Sequence, residues 1–276
     1  FYMKILATVG VLTYNSAENL KRCLGSVRDF AEIIVADGGS IDATLAIAAT
    51  YGARIISQSN PGHAITDFSL ERDRTLSAAS QPWFFYLDSD ELMSPELAAH
   101  IRSIASDPAH LFGAYRVRYC KTNTDATKIY RTYKEYYQVR LVRTDIGARF
   151  IQPVHEHIEV PPSIAVGQTE APWYVPLDAD DLSLRVFAQK AWRRTAQETD
   201  NWRPRGFFEV MRGVFLHPVT LIAKSSLKMI VVRIRFGRDA IPVRYELLRV
   251  LYALFLSLQS LLRFAREPRE TERTTY

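Results

Sequence analysis

Trp83-Phe84-Phe85-Tyr86-Leu87-Asp88-Ser89-Asp90-Glu91 is an apolar run that ends abruptly in three acids. A stretch with helical spacing and the stop signal Gln81-Pro82 precede it, so it reads as a buried central strand. Asp88, Asp90 and Glu91 then sit at the strand's carboxyl end, where open α/β sheets hold their ligands. Carboxylates crowded there repel one another and lose hydration, a cost that a hard divalent cation offsets. The competing reading is an acidic turn before a helix capped at Ser94-Pro95-Glu96.

Upstream of this run, strands and helices alternate. Residues 3–12 read as a first strand, broken by Thr13-Tyr14-Asn15-Ser16, and a helix follows from Glu18 to Phe30 with Leu20, Cys23, Leu24 and Val27 on one face. A short strand over 33–36 opens into Asp37-Gly38-Gly39-Ser40; a helix over 42–51, a strand over 54–57 and a helix over 67–79 follow. That order predicts a mostly parallel sheet with right-handed crossovers. Its geometry gathers the loops Thr13–Asn15, Asp37–Asp42 and Asp88–Glu91 around one crevice. Gly38 and Gly39 let a flat or charged ligand approach the backbone, and Asp37 can accept hydrogen bonds from a base or ribose. No Gly-x-Gly-x-x-Gly follows the first strand and no Walker loop is present, which argues against dinucleotide oxidoreductases and P-loop enzymes.

Downstream, residues 95–106 read as a helix ended by Asp107-Pro108, and from Gly113 the texture changes. Segments 115–119 and 137–142 alternate like antiparallel strands, and 150–160 reads as a further strand carrying His155-Glu156-His157. From Leu182 the chain reads as helical, with long candidates over 207–236 and 243–266.

A chain of 276 residues with 47% hydrophobic content buries a large core, so one large domain over 3–181 with an appendage over 182–276 is expected. Cys23 and Cys120 are too few for a disulfide framework or a cysteine zinc site, a usage that suits the cytosol. Met3 reads as a start leading directly into a strand, so no signal peptide is expected. Charge is unevenly spread: residues 1–182 carry −5 and residues 183–276 carry +10. Nothing resembles a nucleic-acid-binding motif, and the basic section is rich in long apolar residues, so its expected partner is an anionic membrane surface. Val250 to Leu262 lacks charge for 13 residues, short of the ~20 that span a bilayer and suited to an interface. Leu247, Leu251, Leu254 and Leu258 suit a homodimer or packing against the catalytic domain.

Taken jointly, Thr13-Tyr14-Asn15, the segment Val35 to Thr44, Asp67-Phe68 before Arg72, and Trp83 to Glu91 resemble the inverting family 2 glycosyltransferases. Arg140-Leu141-Val142-Arg143 followed by Val154-His155-Glu156 is similar to the branch that builds lipopolysaccharide cores. The resemblance covers roughly residues 3–160 and implies a GT-A fold, Rossmann-like with a mostly parallel sheet flanked by helices, here followed by the basic, membrane-associating helical extension. It implies a donor half over about 3–112, an acceptor half over 113–181, a nucleotide-diphospho-sugar donor (UDP favoured, GDP or ADP open) and Mg²⁺ or Mn²⁺. By the same resemblance Asp37 binds the base, Thr13 and Asn15 lie over the nucleotide beside Gly39 and Ser40, Asp88 and Asp90 serve the ribose-diphosphate and metal, and Arg72 stands near them. Asp73 departs from the asparagine usual in that branch.

Inversion needs a base to deprotonate the attacking hydroxyl; Glu156 is the first candidate and Glu91 the second. His155 and His157 are open between completing the metal site, touching the diphosphate and a structural role. A second acidic cluster, Asp178-Ala179-Asp180-Asp181, follows proline-rich sequence and reads as a helix cap. Trp173 and Tyr174 stand where the family often has a histidine. The expected enzyme is a metal-dependent inverting transferase acting on a lipid-linked or cell-envelope glycan, cytoplasmic and peripheral on the inner face of a membrane. The competitors are a polyprenyl-phosphate sugar synthase and a catalytically silent nucleotide-sugar or glycan-binding scaffold.

Overall fold

The computed structural model describes residues 3–63, 65–107, 109–153, 155–177, 183–200 and 207–266. In chain order the elements are β1 (Ile5–Thr13), α1 (Ala17–Ser26), β2 (Phe30–Asp37), α2 (Thr44–Thr50), β3 (Arg54–Ser57), α3 (Phe68–Ser77), β4 (Trp83–Asp88), β5 (Leu92–Met93), α4 (Pro95–Ser106), β6 (Ala114–Asn123), β7 (Tyr136–Arg143), β8 (Arg149–Ile151), β9 (His157–Glu159), β10 (Val166–Leu177), α5 (Leu184–Asp200), α6 (Phe207–Met211), α7 (His217–Phe236) and α8 (Val243–Arg266). Eight strands form one sheet in the order β3-β2-β1-β4-β7-β6-β10-β5. Strands β3, β2, β1 and β4 run parallel, and β7 and β6 continue antiparallel. This is the change of texture that the sequence predicts at Gly113.

β4 lies inside the sheet because both of its faces are apolar. Phe85 and Leu87 pack into one core with Val9, Leu97 and Ile101, while Phe84 and Tyr86 join Val142, Phe150 and Ile158 on the other side. Parallel register then sets the loops level: Leu12 lies opposite Asp88, Thr13 opposite Asp37, and Asp37 opposite Ser57. The Ser94 hydroxyl accepts the Leu97 N–H at 3.0 Å, with Pro95 opening α4. The cap is thus a separate device from the acids before it.

Two segments depart from the sequence reading. Residues 150–160 are not one strand but a hairpin of β8 and β9, because Gln152 (φ 71°) and His155 (φ 62°) take left-handed backbone beside Pro153. Glu156 therefore ends a turn. The prolines at 172 and 176, read as evidence against a central strand, lie within β10. Its outer side meets β5 only at Trp173 and Tyr174, so both prolines stand at edge-like positions.

The chain forms two compact units: one runs through Thr122 and resumes over Glu135–Pro176, and the other holds Asn123–Lys134 and the chain from Leu177. The second unit is helical. A π-helical turn, Arg212–Leu216, joins α6 to α7, and α8 packs on α5 and α7 with Trp192 edge-to-face on Phe255 at 5.9 Å. Segment 123–134 is stitched to the α7–α8 connection: the Arg131 N–H donates to Asp239 O at 2.8 Å and the Ile241 N–H to Arg131 O at 3.0 Å. By length and composition Val243–Phe264 is apolar enough to cross a membrane, longer than the uncharged run implied, because its few charges sit near the ends. Leu247, Leu254 and Leu258 are exposed on it. Val154, the cluster Asp178-Ala179-Asp180-Asp181 and the expected boundary at 181/182 lie outside the described residues.

Candidate active site

The loops after β1 and β2 are fastened to each other. Asn15, held at φ 46°, takes the Ile41 N–H on its side-chain oxygen at 2.9 Å, and its own N–H donates to Ser40 Oγ at 2.8 Å. Asp37 is buried; one carboxylate oxygen accepts the N–H groups of Gly39 and Ser40, both at 2.8 Å, and the other accepts the Ser40 hydroxyl at 2.6 Å. Gly39 has φ 89°, and a Cβ there would lie 2.9 Å from the Gly62 nitrogen, so only glycine fits. Thr13 is buried beside Asp37, and its hydroxyl has no hydrogen-bond partner among the described residues. The acidic loop joins this group through Ser89 Oγ, which donates to Ser16 Oγ at 3.0 Å.

Arg72 is the centre of the site. Reaching in from α3, it is 1% exposed and its three nitrogens serve three groups. One donates to Leu87 O at 2.9 Å, one pairs with the half-exposed Asp88 carboxylate, and Nε faces Glu156 Oε1 at 3.4 Å. Asp88 and Glu156, 68 positions apart in sequence, thus share one guanidinium. Crowding by protein raises the Asp88 pKa, but the charges of Arg72 and Arg140 outweigh it and hold this carboxyl below the ordinary value. Because the folded-state pKa is the lower one, Asp88 stabilises the fold above about pH 4, and that contribution fades as pH falls through its folded value. Urea unfolding followed through the acid range is expected to show this slope flattened in Asp88→Asn; an unchanged slope would refute it.

Sequence reasoning missed a second buried arginine. Arg140 of β7 forms a fork with Glu91, at 2.8 and 3.2 Å, and donates to Tyr86 O at 3.2 Å. The Trp173 indole N–H donates to Glu91 Oε1 at 3.2 Å, and the Asp88 N–H donates to Glu91 Oε2 at 3.0 Å. Tyr86 lies between the two arginines, with its ring centroid 4.9 Å from the Arg72 guanidinium and 4.1 Å from that of Arg140, and Trp173 covers Arg140 at 4.4 Å. Burial lowers the Arg140 pKa, but Glu91, Tyr86 and Asp88 together outweigh it and the shift is upward. Glu91, the second candidate base, is therefore committed on both oxygens to holding the acidic turn. The one signal in the sequence was Arg140 within Arg140-Leu141-Val142-Arg143.

The expected metal set does not assemble. Among the described residues no three His, Cys, Asp or Glu side chains gather as a metal site, so Asp88, Asp90, His155 and His157 are not one cluster. His155 stands exposed on the turn before β9. His157 faces away from Ile158, which packs against the Phe84–Tyr86 face. Asp90 is exposed at the tip of the acidic turn. Asp73, the departure noted above, accepts the Phe150 N–H at 2.7 Å and so pins β8 to α3, and burial raises its pKa. Cys23 lies beneath the acids, 3.4 Å from Asp88 O; burial, joined by the charges of Glu91, Asp90 and Asp88, pushes its thiol pKa well up.

The chain is 33% identical over 256 residues to a TPR repeat-containing protein of Synechococcus elongatus, covering 86% of this chain and 59% of that one. It is 24% identical to LpsC, a lipopolysaccharide core biosynthesis glycosyltransferase of Rhizobium meliloti, covering 78% of this chain and 79% of the relative. The glycosyltransferase SunS of Bacillus subtilis is 34% identical over 105 residues, 23% of its own length. The chain therefore spans less than two thirds of the cyanobacterial protein and under a quarter of SunS. Among solved structures, residues 1–349 of S. aureus TarS with UDP-GlcNAc align at 14% identity with a TM-score of 0.47, over 95% of this chain and 93% of that one. A family model matches residues 8–159, which run from within β1 to the end of β9 and hold all the site residues above except Trp173. With parallel strands and level loops followed by an antiparallel half, in the GT-A manner, the chain belongs to glycosyl transferase family 2.

Proposed function

We propose that this glycosyltransferase moves a sugar, with inversion, from a nucleotide-diphospho-sugar to a hydroxyl of a glycan or lipid-linked acceptor at the inner face of a membrane. The observation that carries the reading is the Arg72 guanidinium shared between Asp88 and Glu156 at the carboxyl edge of the sheet. It sets a donor-side acid and a candidate base on two arms of one rigid fork. Thr13, Asn15, Asp37, Gly39 and Ser40 form the floor for base and ribose, and the unpartnered Thr13 hydroxyl is left to bond the ligand.

Glu156 takes the proton of the acceptor hydroxyl while the acceptor's oxygen bonds to the sugar's anomeric carbon. The bond from that carbon to the diphosphate breaks, and the nucleoside diphosphate leaves with the electron pair. Arg72 holds Glu156 in place. Asp88 and Asp90 present hard oxygen ligands that fit Mg²⁺ or Mn²⁺, which when bound would neutralise the leaving diphosphate. Without a third ligating side chain among the described residues, the cation would be held jointly with the diphosphate. UDP is the favoured nucleotide, and the LpsC relative supports a cell-envelope acceptor.

The test begins with a panel of UDP-, GDP- and ADP-sugars plus Mn²⁺, scored for transfer. Calorimetry is expected to show Mn²⁺ binding weakly to the protein alone and far more tightly once UDP is present, with Asp90→Ala abolishing the gain. Tight Mn²⁺ binding without nucleotide, or full turnover in Asp90→Ala, would remove Asp90 and the shared cation from the reading.

A further inference from the structure

Helix α7 carries an exposed apolar stripe that no described residue of its own unit covers. Leu216, at its entry, and Val219, Leu227, Ile230 and Ile234 are each more than half exposed. At 100° per residue they fall within an arc of about 80°. Pro218 and Val232, on the opposite side of the helix, are buried. An open apolar hollow of about 550 Å³, bounded by Phe208, Met211, Arg212, Leu216 and Val219, extends the stripe toward α6.

Charge on this helix is of one sign. Between His217 and Phe236 there are four basic residues and no acid. Lys224, Lys228 and Arg235 lie exposed along one shoulder of the stripe, while the Arg233 guanidinium bonds back to Gly237 O at 3.0 Å. Tyr133, itself exposed, has the Lys228 ammonium 5.8 Å from its ring. Apolar centre, basic shoulder and an aromatic with a polar tip are the parts of a helix lying in a bilayer interface.

We propose that α7 is an in-plane anchor, seating its Leu216–Ile234 stripe among the acyl chains of an anionic membrane while Lys224, Lys228 and Arg235 meet the headgroups. A second copy of the chain is the weaker occupant, because a two-fold contact would set these cations against themselves with no acid on α7 to pair them. An α7 that crossed the bilayer would carry four basic residues with it, and its buried side is already packed. The proposal deepens the reading of a transferase working at a membrane and shares only that location with it.

The experiment uses the full chain and vesicles of phosphatidylcholine with and without phosphatidylglycerol. Co-sedimentation is expected only with the anionic lipid, falling several-fold as salt rises, because attraction between surface charges is screened. Leu227→Glu/Ile230→Glu should release the protein, and Lys224→Glu/Lys228→Glu should remove the preference for anionic lipid. Both variants should keep wild-type melting, UDP binding and turnover on a water-soluble acceptor. If turnover is absent in all forms while vesicle binding behaves as stated, the catalytic reading fails and the anchor stands. Equal binding to neutral vesicles, unchanged binding in both variants, or a dimer that Leu227→Glu dissolves would overturn the anchor. Resistance to alkaline carbonate would also do so, since it would mean that α8 crosses the bilayer.

Discussion

Glu156→Gln is expected to lower transfer by about 10²–10⁴-fold, the range lost when a positioned base is removed. The amide keeps an oxygen facing Arg72 Nε, so the fork that places Asp88 persists and nucleotide binding should be unchanged. A falling kcat with preserved UDP affinity separates the loss of a base from the loss of a structural contact. Azide supplies the sharper measurement. As an anion it attacks the anomeric carbon without surrendering a proton, so it should restore donor turnover in the Glu156→Gln enzyme and yield the glycosyl azide. If azide restores nothing while UDP still binds, Glu156 is not the base.

The second large effect is on stability. Arg140→Leu leaves the buried Glu91 carboxylate with an indole and a backbone N–H but no counter-charge, and stranding a buried charge in this way costs about 3–5 kcal/mol. In a chain of this size the melting temperature should fall on the order of 10 °C. Arg140→Lys should recover only part of this, because a point ammonium cannot make the fork or stack between Tyr86 and Trp173. Arg140→Leu with Glu91→Gln removes the stranded charge and should be markedly more stable than Arg140→Leu alone. If the single variant melts like the wild type, the Arg140–Glu91 pair does not hold the acidic turn.

Local signals carried the first half of the fold. The runs at 83–87, 54–57 and 95–106 appear as β4, β3 and α4 within a residue of where period and punctuation put them, because a doubly buried strand and a capped helix announce themselves within a few positions. The same reading placed Thr13, Asp37 and Asp88 on one edge, and strand register aligns them. Pairing at a distance was not legible. Glu91 meets Arg140 across 49 positions and Trp173 across 82, and no window of sequence joins them. Glu91 therefore read as a candidate base, and Trp173 read as standing in for a histidine. The histidines flanking Glu156 misled for a different reason: two left-handed residues turned an apparent strand into a hairpin, so His155 and His157 were judged on a backbone they do not have.

The second unit begins well before the appendage that composition suggests. Because Asn123–Lys134 belongs with the helices, the polypeptide passes between the units three times, once after Thr122, once after Lys134 and once after Pro176. A shortened gene that stops after β10 would not yield a self-sufficient first unit. It would keep a twelve-residue excursion whose hydrogen-bonding partner, the segment Asp239 to Ile241, had been left behind. Any natural loss or exchange of the helical tail must therefore be matched by a change between β6 and β7, so the two segments are expected to be inherited together.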